Sequence, residues 1–225
     1  MKREIKSYLV FTSGALRLLL FLAAPVLLIG FNVSLALNAH RLVAAEDIYL
    51  FADLMVFLTA ALLMAAEVML DNWVFGGIAV KGSGSWEYMK ASSKGIQLMR
   101  TALRTDMIRK FAESAVVVFL SRTAWTVAGN LGGLWNLKGI VMILAMTVCQ
   151  YFFTVVMLLV TRNFGNWTAN LATVSLLSWG MTPMFILIRQ NSYVMLAVLA
   201  VLSVAVSVFS QWKIMRRVEE SFYDK

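Results

Sequence analysis

Apolar side chains in this chain gather into long blocks rather than alternating with polar ones. Six blocks stand out: residues 15–37, 48–70, 111–131, 139–160, 167–188 and 193–212. Each approaches the ~20 residues that a helix rising ~1.5 Å per residue needs to cross a ~30 Å hydrocarbon layer. The pattern predicts an all-α, polytopic membrane protein with six transmembrane helices. Residues 1–225 then form a single transmembrane domain with little chain left for a soluble one.

The polar punctuation between blocks adds detail. Before the first block stands a basic stretch with Lys2, Arg3 and Lys6 among Ile5, Tyr8 and Leu9. That mixture suits a short helix lying at the membrane interface. The block that follows is longer than the ~7–15 apolar residues of a signal peptide, and Leu37-Asn38-Ala39 is a weak cleavage site, so the expectation is an uncleaved first span. Blocks five and six are joined only by residues 189–192, which predicts a tight helical hairpin. Gly129 and Gly133 form a G-x-x-x-G, either a helix-packing motif or part of a loop.

Composition agrees with the blocks. Of 225 residues, 60% are hydrophobic and 14% charged, against about a quarter charged in a soluble domain. Mean hydropathy is +0.77. These values exclude disorder and leave no polar surface for a soluble globule. The net charge of +8 reads as topology rather than nucleic-acid binding. Sixteen Lys and Arg fall before or at the entry of span one, between spans two and three, between four and five, and after six. Only Arg41, Lys138 and Arg189 fall in the opposite loops. The positive-inside rule then places both termini in the cytoplasm. Trp135, Trp167, Tyr193 and Trp212 sit at span ends, where aromatic belts form.

One segment is out of proportion. Residues 71–110 number forty in a chain whose other connections are short. Gly82 and Gly84 break any helix near its start. Ser85 can cap a short helix running to Lys90, with Trp86 and Tyr88 as its apolar surface. A second helix follows from Ser93. There Ile96, Met99, Leu103 and Met107 recur at helical spacing, with Lys94, Arg100, Arg104 and Arg109 elsewhere around the turn. Two readings stay open: a docking element offered to a cytoplasmic partner, or a basic amphipathic helix resting on anionic lipid.

Six spans in this length, an interfacial N-terminal helix and a long insertion after span two together resemble the permease subunits of type-2 ABC exporters. The runs Asp71-Asn72-Trp73-Val74-Phe75-Gly76-Gly77, Tyr88-Met89-Lys90-Ala91-Ser92-Ser93-Lys94-Gly95 and Ala102-Leu103-Arg104-Thr105-Asp106-Met107-Ile108-Arg109 resemble small Gram-positive permeases of this kind. The resemblance implies a bacterial plasma-membrane location, a dimer with a similar or identical second permease subunit, and a separate ATPase subunit carrying ATP-Mg. It also implies a coupling helix within 85–104, with Ser85, Trp86, Glu87, Tyr88, Met89, Lys90, Arg100 and Arg104 as ATPase-facing residues. The 189–192 link departs from the family, because many members carry re-entrant helices there. An outer gate would then come from residues 130–138.

The chain lacks a G-x-x-x-x-G-K-[ST] phosphate loop, so ATP hydrolysis is expected only from a partner. One cysteine, Cys149, and one histidine, His40, leave no cysteine-based cluster and no expected metal site or bound cofactor. Asn32-Val33-Ser34 and Asn166-Trp167-Thr168 match the glycosylation pattern, but the first is inside a span and the second faces the cytoplasm. Arg122 falls near the middle of span three, where a charge is costly and faces the bundle interior. Asp53 in span two is its nearest expected partner, giving either a structural pair or part of a pathway. Glu67 and Glu113 lie near the cytoplasmic span ends, close to Arg109 and Lys110. They fit interfacial ion pairing or a proton or cation relay. Pro183 is expected to kink span five.

Three functions compete on this evidence. The first is an exporter permease for a peptide, lipid or other amphipathic substrate. The second is a membrane subunit that captures substrate for a vitamin importer, or a small gradient-driven carrier. The third is a membrane enzyme, disfavoured because no clustered catalytic residues appear.

Overall fold

The protein is described here by a computed structural model covering residues 2–75, 89, 91–163 and 167–220. It is all-helical, with no strand among the described residues. Helix α1 spans Lys2–Leu9, α2 Gly14–Leu42, α3 Ile48–Phe75, α4 Ser93–Ala128, α5 Leu137–Thr161, α6 Trp167–Gln190 and α7 Ser192–Glu220. Four of these, α2, α3, α5 and α7, are long and apolar enough to cross a membrane. Helices α4 and α6 occupy the third and fifth sequence blocks. Glu113 and Arg122 interrupt the apolar run of α4, and Asn170, Thr173, Ser175 and Thr182 dilute that of α6.

The starts and ends follow local chemistry. Ser13 caps α2, accepting from the Leu16 amide at 3.3 Å. Ser92 caps α4 through the Gly95 amide at 2.9 Å, and Asn136 caps α5 through the Gly139 amide at 2.7 Å. Residues Leu19–Ala23 of α2 widen into a π-helical turn. Pro25 follows at once and has no amide to give Phe21, which explains where the ladder changes. The Gly129–Gly133 pair is not a packing motif: Gly129 ends α4 and Gly133 lies in the 3-10 turn Gly132–Trp135. Asn130 between them has φ of +55°, a left-handed geometry that asparagine tolerates.

Helix α5 is the hub. It packs most extensively against α7 and also against α3, α4 and α6. Its apolar window is 61% buried, against 6% for α2. The main core is built from Val56, Ala60 and Met64 of α3, Val118 and Trp125 of α4, and Ala145, Met146, Cys149 and Val155 of α5. Facing small residues on α5 let its neighbours close in. Helix α2 instead presents Leu22, Val26, Leu27 and Leu37 outward, as a lipid-facing helix does.

Two expectations change here. Helices α6 and α7 are joined by Asn191 alone, yet α7 lies mainly along α5 and packs less extensively on α6. The second half of the 71–110 insertion is not a separate helix. It is the lower part of α4, which runs 36 residues without a break. Pro183 lies within α6, which continues through it to Gln190.

Candidate functional site

The chemistry concentrates at the end of the bundle that holds both termini. Glu67 and Asp71 face inward from the last turns of α3. Asp106, Arg109, Lys110 and Glu113 lie on one side of α4, and Arg162 immediately follows α5. The helical i, i+3 and i, i+4 spacings are the cause: 67 with 71, 106 with 109 and 110, and 109 with 113 each share a face. Seven charged side chains therefore meet where three helices converge.

The contacts are dense. Arg162 donates from Nε to Asp71 Oδ2 at 2.8 Å and from Nη2 to Asp71 Oδ1 at 2.5 Å, and its Nη2 also reaches Asp106. Lys110 Nζ donates to Asp71 Oδ1 at 3.0 Å and to both Asp106 oxygens at 2.7 and 2.8 Å. It lies 3.3 Å from Glu67. Arg109 forks onto Glu67, through Nη1 to Oε1 at 2.7 Å and through Nη2 to Oε2, and also meets Glu113. Asp106 is fully buried, Arg162 is 1% exposed and Lys110 3%. Such burial is tolerable only because each charge has close partners.

Electrostatics at this end of the bundle follow from this packing. Burial by itself would raise the Asp106 carboxyl, but Lys110, Arg162 and Arg109 outweigh it and hold the group well below the usual range. Burial would likewise lower the Lys110 ammonium. Asp106, Asp71 and Glu67 reverse that and hold it above its ordinary value. The cluster contains four carboxylates and three cations, one carboxylate in excess. Glu113 Oε1 is a buried oxygen without a hydrogen-bond partner.

Helix α1 covers this cluster. The Arg109 guanidinium lies 5.7 Å from the Tyr8 ring centre and 5.6 Å from that of Phe21. Arg162 lies 4.6 Å from the Phe75 ring centre. Beneath α1, a second apolar cluster joins Tyr8, Val74, Phe75, Met99, Leu103, Ile214, Met215 and Val218. The apolar stripe of α4 is therefore not offered outward, because Met99, Leu103 and Met107 are buried within the protein. The polar face of the same helix remains outside. Arg100 pairs with Glu219 at 3.1 Å, both about half exposed. Arg100 and Arg104 line an open groove of about 470 Å³ with Trp212, Met215, Arg216 and Glu219. Of the other expected coupling residues, Met89 lies beside the start of α4, and a Cβ on Gly95 would stand 2.0 Å from its carbonyl oxygen. Ser85, Trp86, Glu87, Tyr88 and Lys90 lie outside the described residues.

At the opposite end, Arg122 Nη1 donates to Asp53 Oδ1, joining α4 to α3, with Arg122 2% exposed. Between the two ends lies a polar junction that the sequence did not single out. Trp125 Nε1 donates to Asn32 Oδ1 at 2.9 Å. Asn32 Nδ2 donates to Thr59 Oγ1 at 2.5 Å and to the Leu28 carbonyl at 3.0 Å. Asn32 thus ties α2, α3 and α4 through one fully buried amide. Among the described residues no group of His, Cys, Asp and Glu is arranged to hold a metal.

No protein-family model, curated protein or solved structure matches this chain.

Proposed function

We propose that the chain is the membrane-spanning permease subunit of an ATP-driven ABC exporter of the type-2 class, in a bacterial plasma membrane. It would have six spans and both termini cytoplasmic, by the distribution of Lys and Arg. The observation that supports this most is the continuity of α4. From Arg104 to Arg122 is eighteen residues, ~27 Å along one helix. The lower half of that helix is clamped to α3 and α5 by the buried charges, and the upper half carries Arg122. A push at its exposed basic face then moves a rigid body rather than a loop. The partner is a phosphate-loop ATPase, and a second permease subunit completes the pathway. The substrate class is an amphipathic peptide, lipid or similar molecule. No ATP-Mg binds this chain itself.

The ATPase contact has two parts in this account: the exposed basic face of α4 with Arg100 and Arg104, and the segment 76–92 that precedes that helix in sequence. Deletion through Arg104 would remove the buried Met99 and Leu103, so it is not a clean test. The informative variants are a Gly/Ser replacement of 76–92 and the pair Arg100→Glu with Arg104→Glu. An ABC ATPase encoded beside this chain should co-purify with the wild type and be lost from both variants. Full retention in both would sink the coupling assignment.

Two further readings each have an observation in favour. A polar recess around Asp53 and Arg122 suits the capture subunit of a vitamin importer. The excess carboxylate in the α3–α4–α5 cluster suits a gradient-driven carrier that moves a proton or cation.

A further inference from the structure

At the end opposite the termini, a recess of about 190 Å³ opens between α3, α4, α5 and α6. Its charged and polar walls are Tyr49, Asp53, Arg122, Asn136, Lys138 and Arg189. Three cations therefore face one carboxylate. Asp53 is the single acidic residue in the described lining, and Arg122 already takes it. Lys138 and Arg189 form no ion pair among the described residues. The exposed Glu46 and Asp47 precede α3 but do not contribute to the walls. Arg122 is almost wholly buried, and its Nε, also buried, has no hydrogen-bond partner. Gly139 in the lining belongs to the first turn of α5, so the positive end of a 25-residue helix adjoins the recess, with the Gly139 amide itself taken by Asn136.

We propose that this recess is an oxyanion site for a phosphate-type group. The Lys138 ammonium, the Arg189 guanidinium and the Tyr49 hydroxyl supply the donors, and the buried Arg122 adds its charge behind them. The volume suits a compact ion, since it equals about six waters at ~30 Å³ each. A planar guanidinium such as that of Arg189 matches the geometry of a phosphate better than that of a halide. The same chemistry reaches the recess from two sources, inorganic phosphate in solution or the headgroup of an anionic phospholipid. The inference is independent of which partner energises the chain.

The test uses the full chain. In the first arm it is held in dodecylmaltoside, and its melting temperature is followed against inorganic phosphate, with chloride at matched ionic strength as reference. In the second arm it is held in nanodiscs of phosphatidylglycerol or of phosphatidylcholine, and retained lipid is read by native mass spectrometry. The variant is Lys138→Gln with Arg189→Gln, two positions outside the core. The control is Lys213→Gln with Arg216→Gln at the far end. Phosphate-dependent stabilisation that weakens roughly tenfold per lost cation, and is kept by the control, supports free phosphate as the source. Retention of phosphatidylglycerol lost only in the variant supports the headgroup. Absence of both responses overturns the proposal, and so does a response that the variant leaves unchanged or the control reduces equally.

Discussion

Removing Arg162 and removing Glu113 should have very unequal consequences, although both side chains belong to one cluster. Arg162 is fully enclosed and bridges Asp71 and Asp106, with the Phe75 ring against its guanidinium. Arg162→Met preserves much of the volume but leaves four carboxylates facing two cations. Breaking a buried pair from one side typically costs ~3–5 kcal/mol, because the remaining charge is uncompensated. For a chain of this size that is a fall of roughly 6–20 °C in melting temperature, at ~2–4 °C per kcal/mol. Glu113→Gln instead balances the cluster at three against three and keeps an acceptor for Arg109. Its expected cost is under ~1 kcal/mol. The exposed Arg100–Glu219 pair sets the baseline, since Arg100→Gln should change stability by only ~0–1 kcal/mol. The assay is reversible unfolding of the three variants in detergent, followed by tryptophan fluorescence. The reasoning fails if Arg162→Met is as stable as Arg100→Gln, or if Glu113→Gln costs as much as Arg162→Met.

Four other outcomes are expected. Asp53→Asn and Arg122→Gln should each destabilise by about 3 kcal/mol, with the double variant costing clearly less than the sum; additive losses in a double-mutant cycle would refute the pairing. Asn32→Leu strands the Trp125 indole N–H, while the Thr59 hydroxyl keeps its bond to the Met55 carbonyl, and should cost ~1–3 kcal/mol, visible as a shifted unfolding midpoint. The Asp106 carboxyl is held below its ordinary 3.8, so its contribution is complete above that pH and fades as pH falls further; Lys110 is held above its ordinary 10.5, so its contribution is complete below that pH and fades as pH rises. The Asp106 contribution should appear as a fall in the unfolding midpoint on the acid side, and the Lys110 contribution as a fall on the alkaline side. Gly95→Ala places a methyl against the Met89 carbonyl, so limited proteolysis should cut the 76–92 segment faster than in the wild type.

Much of the helical frame could be read from apolar blocks alone, because bilayer thickness sets a block length that few other structures need. The block at 139–160 maps onto α5 with only a few residues added at its ends. The lower part of α4 was harder. Reading 71–110 as one polar insertion separated Ser93 from the third block, although no Gly or Pro stands between Gly95 and Ala128 to end a helix. That separation hid the clamp. Asp71, Asp106 and Arg162 looked like ordinary charges outside the spans, yet Asp106 stands four residues before Lys110 and Asp71 four after Glu67. Once the helix is continuous, those spacings place all of them on one interior face. The Asn32 junction left no comparable signal. Its partners Thr59 and Trp125 are 27 and 93 residues away, and only tertiary packing brings them together. The apolar stripe at Met99, Leu103 and Met107 was visible as a periodicity, but periodicity does not say which neighbour covers it. Here Met99 and Leu103 are covered by α1, α7 and the end of α3, and the Arg100 and Arg104 face stays exposed.

The account turns on that face being cytoplasmic and occupied by an ATPase. Cys149 is the chain's one cysteine and is buried, so Arg104→Cys in a Cys149→Ser background gives a single addressable thiol. Labelling with a membrane-impermeant maleimide should occur only from the cytoplasmic side of oriented vesicles. It should be blocked when the ATPase is co-reconstituted. Labelling from the outer side, or equal labelling with and without the ATPase, would contradict the account.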